Sequence, residues 1–168
     1  MRTVERGVTV AACLALVLAA GCVRQVPPAG GGERFAGVAL PRLEAPAPDP
    51  AFTRTMSAAT TLAAADAPLD ACAGPVAIDV QVPGRPVLVS EHDYCGGADW
   101  IPDLAAGDAV ALDGPGVEAG VYRVDVVDEH RRRDVYVRDL RPEAEVVLQT
   151  CISDTRLVLV ALTRVASL

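Results

Sequence analysis

The stretch EVVLQTCISDTRLVLVALTRV, Glu145–Val165, consists of two apolar runs, Val146–Thr150 and Arg156–Thr163, on either side of a short polar turn. Runs rich in valine and leucine and bounded by turn residues read as buried strands. Cys151 closes the first run and Arg156 opens the second, and a core needs neither residue there. Upstream the period of two recurs. Ile78, Val80 and Val82 alternate with Asp79 and Gln81, and Val87 and Val89 follow. Further strands are predicted at Ala109–Leu112, Val121–Val127 and Asp134–Arg138. Turn chemistry separates them: Pro83-Gly84, Asp113-Gly114-Pro115-Gly116, the Glu129–Arg133 loop and Arg141-Pro142. Only Ala98–Ala106 departs from the pattern, and it is read as holding a helical turn. Strands this short, at this spacing, predict an all-β barrel or sandwich.

The 168-residue chain carries a formal charge of −7, and each of its 15 basic residues is arginine. An acidic chain of this kind lacks the clustered basic face that a nucleic-acid partner requires. The one dense basic run, His130–Arg133, is flanked by Glu129 and Asp134 and reads as a solvated turn rather than a phosphate site. With two histidines far apart in sequence, no metal cluster is expected, and no glycine-rich phosphate loop follows a strand, so no cofactor is expected either.

Arg2 and Arg6 precede an apolar run, Val8–Ala20, that leads into Gly21-Cys22. A charged start, a short apolar centre and small residues at the end make a signal peptide, residues 1–21, rather than a comfortable membrane span. The ending Leu18-Ala19-Ala20-Gly21-Cys22 resembles the lipobox of bacterial lipoproteins. The resemblance implies lipidation of Cys22 and a lipid anchor on the outer side of the cell membrane, or secretion if Cys22 is not lipidated. Residues 22–71 are rich in proline, glycine and alanine and are expected to form a tether. A short helix is expected within Ser57–Ala67. That leaves 72–168 for one small folded domain.

Of five cysteines, Cys13 lies in the signal and Cys22 in the lipobox, leaving Cys72, Cys95 and Cys151. Outside the cytoplasm two of these are expected to pair. A hairpin centred on Pro83-Gly84 sets Ile78 opposite Val89, Val80 opposite Val87 and Cys72 opposite Cys95. That register predicts a Cys72–Cys95 disulfide, worth roughly 3 kcal/mol by loop closure, and leaves Cys151 free. By spacing alone Cys151 is equally well an inert, small apolar residue.

Leu148-Gln149-Thr150-Cys151, followed by Arg156 and Leu157–Ala161, resembles the C-terminal signature of the sortases, bacterial cysteine transpeptidases. Leu88-Val89-Ser90-Glu91-His92-Asp93 is similar to the family's strand that ends in its catalytic histidine. Leu104–Val110, with Gly107-Asp108-Ala109-Val110, is similar to the segment that follows it. Val147 replaces the motif's first threonine, and Glu91 stands where glycine usually precedes the histidine. The resemblance spans about Val87–Val165.

It implies a small closed β-barrel, mostly antiparallel, with one or two short helical turns. It further implies Cys151 as nucleophile, His92 as proton-transfer partner and Arg156 as the donor that stabilises substrate or oxyanion. Those types suit acyl transfer, because a free thiol with a pKa of about 8.5 needs positive charge nearby to become a thiolate. The implied activity is a transpeptidase or peptidase acting on a peptide or protein with a sorting-type motif through a Cys151 thioester. The alternative is a catalytically inactive module of the same fold with a binding or structural role. In that case His92 is a surface residue and Arg156 an ordinary turn arginine.

Overall fold

The computed structural model describes residues 46–168. The expected signal peptide, the lipidated Cys22 and the tether up to residue 45 lie outside the described residues. Eight strands follow in order: β1 (Phe52–Thr55), β2 (Ala58–Thr61), β3 (Val76–Asp79), β4 (Val87–Ser90), β5 (Ala109–Asp113), β6 (Gly120–Arg131), β7 (Val146–Cys151) and β8 (Arg156–Ser167). A single short helix, α1 (Asp66–Asp70), and several one-turn 3-10 segments complete the described elements.

All eight strands join one sheet in the order β1-β5-β6-β8-β7-β4-β3-β2. Its spine is the antiparallel pairing of β6, β7 and β8, the twelve-residue strands β6 and β8 running side by side to Arg131 and Arg156. Bulges at Val121/Tyr122 and Val124/Val126 interrupt the β6–β8 register; such bulges bend a long pair. The sheet is mostly antiparallel, as expected, but β1–β5, β2–β3 and β4–β7 run parallel.

The expected closed barrel is not what forms. The ends of the sheet, β1 and β2, do not pair with each other, and the sheet is open and curled. Its two ends are nonetheless held close, because only Met56 and Ser57 separate them in the chain. Met56 N–H donates to Asp113 O at 2.7 Å, on the β5 side, and Ser57 N–H to Pro75 O at 2.8 Å, on the β3 side. The Asp113–Gly116 turn fills the gap between them. A side chain at Gly116 (φ 86°) would lie 2.6 Å from Ala77 Cβ and 2.8 Å from Ala59 Cβ, so only glycine fits there.

The folded unit therefore starts well before Cys72, and residues 52–71 are not tether. Nor is Ser57–Ala67 one helix: Ala58–Thr61 is strand and only Asp66–Asp70 is α-helical. Alanine's helix propensity is outweighed because β3 offers a ladder and Thr60 and Thr61 are β-branched. The predicted strand at Asp134–Arg138 also fails to form. Asp139 accepts the Tyr136 N–H at 2.7 Å and closes a local turn, a bond that competes with a ladder. Val135 and Val137 still pack inward, which explains their alternation.

Both faces of the sheet are covered. Val158, Val160 and Leu162 of β8 point to the concave side with Val89, Leu148, Tyr122 and Trp100. Leu157, Leu159 and Ala161 point to the convex side, under Leu140, Ala144, Val135 and Val137. Two covered faces are why β7 and β8 read as continuous apolar runs.

The Cys72–Cys95 disulfide forms, with Cα atoms 4.9 Å apart. The hairpin register that led to it is shifted by one: Ala77, not Ile78, faces Val89. The turn itself is centred on Pro83-Gly84, with Arg85 N–H donating to Val82 O at 3.2 Å and Gly84 at φ 74°. Such a turn fits strand twist poorly. Gln81, at φ 57° with its N–H on Asp79 Oδ1, takes up one extra residue between turn and ladder.

Candidate active site

Strands β4 and β7 lie parallel, with Leu88 beside Val147 and Ser90 beside Gln149. Glu91 N–H continues the ladder to Gln149 O at 3.2 Å. β4 ends at Ser90, and His92 follows it at the start of the 3-10 turn Asp93–Cys95, while Cys151 closes β7. Because side chains alternate, Leu88 and Ser90 share one face with Gln149 and Cys151 and with Leu157 and Leu159 of β8, and His92 lies just past the end of β4. These residues line one cleft of about 510 Å3, walled further by Leu62, Leu69, Val135, Val137 and Leu140. His92 and Cys151 thus line the same cleft.

Cys151 is an unpaired thiol, only 7% exposed. Burial pushes its pKa above the ordinary thiol value; the Arg132 guanidinium opposes that rise and the Asp93 carboxylate adds to it. Gln149 Nε2 approaches Sγ at 4.0 Å, and Ser90 Oγ donates to Gln149 Oε1 at 2.7 Å. The His92 imidazole turns to Asp70, with Nε2 at 3.3 Å from Oδ1, and stacks on Tyr94. Among the described residues no hydrogen bond joins His92 to Sγ.

Arg156 is not part of this constellation. Its neighbour Leu157 faces the cleft, so strand alternation sends Arg156 the other way. The guanidinium pairs with Glu129 and lines a second cleft of about 900 Å3 beside His130, Arg131 and Arg133. The arginine that reaches the thiol cleft is Arg132, which lines both clefts. It sits in a 3-10 turn, Arg132–Asp134, fastened to the β7–β8 turn by its N–H on Thr155 O at 2.9 Å. Arg132 is exposed, as expected of a solvated turn, and still reaches the thiol cleft. A basic run two strands away in sequence gives no sign of which arginine folds back.

Two further residues, Glu91 and Gly97, take roles that the sequence did not give them. Glu91 is buried, and its Oε2 accepts the Trp100 indole N–H at 2.8 Å. This carboxylate thus anchors the core tryptophan of the 97–104 loop. Gly97 lets that loop lie directly on the strand ends: a side chain there would meet Glu91 O at 2.5 Å and Thr150 Oγ1 at 2.6 Å. Its N–H donates to His92 O at 2.9 Å. No group of His, Cys, Asp or Glu among the described residues is arranged to hold a metal. Nor is any described helix long and apolar enough to cross a membrane. No protein-family model matches the chain, and no curated protein matches it.

Proposed function

We propose that this protein is a sortase-like cysteine acyltransferase, a transpeptidase or peptidase acting on an extended peptide or protein segment. It works on the outer face of the cell membrane, anchored by lipid at Cys22. The observation that carries the reading is the free thiol of Cys151 in an apolar cleft that His92 also lines. The Cys72–Cys95 bridge fits an oxidising compartment outside the cytoplasm.

In the reaction His92 takes the Cys151 proton, and Sγ attacks the carbonyl carbon of the scissile amide. The C–N bond breaks, His92 returns the proton to the leaving amine, and a thioester remains on Cys151. Water or a second amine then attacks the thioester and restores the thiol. Arg132 supplies positive charge beside the sulfur and donors for the carbonyl oxygen as it gains charge. The test is incubation of the full-length chain with a panel of sorting-type peptides, followed by mass spectrometry of the peptide bearing Cys151. A thioester adduct, absent in Cys151→Ala, is expected.

The second reading is a non-catalytic module that holds an apolar peptide in the same cleft. It draws support from the raised pKa of Cys151, which favours the neutral thiol. Peptide binding retained in Cys151→Ala, with no adduct in the wild type under any peptide, would select it.

A further inference from the structure

Asp70 belongs to no motif, yet it is the group that the His92 imidazole meets. Nε2 of His92 lies 3.3 Å from Asp70 Oδ1, and the Tyr94 hydroxyl donates to the same oxygen at 3.1 Å. The Tyr94 ring stacks on the imidazole, with centroids 4.7 Å apart and planes 18° apart. The imidazole is therefore held at its edge and on its face. An exposed pair such as Asp70–His92 adds little to stability; what it does fix is the orientation of the ring.

Asp70 is held in place by a covalent bond. Asp70 ends α1, and Cys72 just beyond it is bonded to Cys95, the residue after Tyr94. Cys72 adopts φ 48°, a left-handed conformation uncommon for residues other than glycine, and its N–H donates to Leu69 O at 3.2 Å. The bridge ties α1, with Asp70 and the cleft residue Leu69, to the turn carrying Tyr94. A helix of five residues with no buried side chain has little else to hold it.

We propose that the Cys72–Cys95 disulfide and Asp70 form a latch that orients His92, with Nε2–H donated to Asp70 and Nδ1 left for the Cys151 thiol proton. This rests on the reading of His92 as the proton partner of Cys151. Asp70 is a positioning residue, and the bridge makes the site sensitive to redox state. A dithiol reductant opens the bridge to two thiols, is itself oxidised to a disulfide, and frees α1 with its carboxylate.

The test is nitrogen NMR of the full-length chain labelled at its two histidines. His130→Gln assigns the spectrum, and mildly alkaline pH keeps imidazole neutral. One tautomer, protonated at Nε2, is expected in the oxidised protein. Asp70→Ala should give a mixture, while Asp70→Asn, which keeps an acceptor oxygen, should retain the single form. Reduction should reproduce the Asp70→Ala spectrum while the fluorescence of Trp100 stays native. An unchanged tautomer in Asp70→Ala or in the reduced, folded chain overturns the latch. So does loss of native fluorescence on reduction, which would make the bridge a global staple. None of these readouts needs acyl transfer. A latch seen in NMR without any thioester would leave it standing and overturn the proposed activity. Thioester formation at the wild-type rate in Asp70→Ala would do the reverse.

Discussion

Two clefts meet at Arg132 and are built on opposite plans. One is walled by Leu88, Leu157 and Leu159 and ends at a buried thiol; the other sets Arg131, Arg133 and Arg156 against Glu129, Asp134 and Asp154, all exposed. Charge in the second cleft is matched by charge and screened by water. In the first cleft a single guanidinium alters the ionisation of the sulfur, because the thiol has little water of its own. Setting thus matters more than residue type: Arg132 and Arg156 are the same side chain with different consequences.

The largest effect that probes this difference is expected from Cys151→Ala, which should abolish every covalent adduct while leaving the fold intact. An adduct persisting in that variant, read by mass spectrometry, would break the assignment of the thiol cleft. Next is Gly97→Val. Its side chain would collide with the backbone at Glu91, so a loss of about 1–3 kcal/mol in denaturant unfolding is expected. Wild-type stability would mean that the 97–104 loop does not press on the strand ends.

A smaller effect is the pH dependence carried by Cys151. Burial raises its pKa in the folded chain, so the folded state keeps this proton where the unfolded state has lost it. The resulting stability is fully present below the ordinary thiol value and falls as pH rises through the folded one. Unfolding measured across alkaline pH should show this slope in the wild type and a shallower one in Cys151→Ala; equal slopes would contradict it. Arg132→Ala should then slow alkylation of Cys151 at neutral pH, since it removes the charge that favours thiolate. Arg156→Ala should leave alkylation unchanged and cost less than about 1 kcal/mol, as an exposed ion pair does. The reverse ranking of the two arginines would exchange the roles given to the clefts.

Strands β5, β7 and β8 were legible because covered faces and turn residues leave a strong local pattern. The pairing of Cys72 with Cys95 was legible too, although the register behind it was off by one, because Gln81 adopts a conformation that composition does not announce. β1 and β2 were not legible. Phe52–Thr55 and Ala58–Thr61 sit among alanine and proline and become strands only because distant edges of the sheet supply their partners. The site divided in the same way. Cys151 ends β7 and His92 follows the end of the adjoining β4, and both strands can be read from sequence. Arg132, Asp70 and Gly97 reach the site through a folded-back loop, a disulfide and a close approach, none of which is periodic.

The passage at Met56-Ser57 makes one short stretch of chain the guard of two open edges. β1 covers β5 and β2 covers β3, so if residues 52–61 peel away, two rows of unpaired peptide groups are bared at once. Such rows recruit strands from other molecules. Both pairings also join segments distant in sequence to one another or across a long loop, which slows their formation. The stretch nearest the N-terminus of the sheet is therefore the one on which protection from self-association depends.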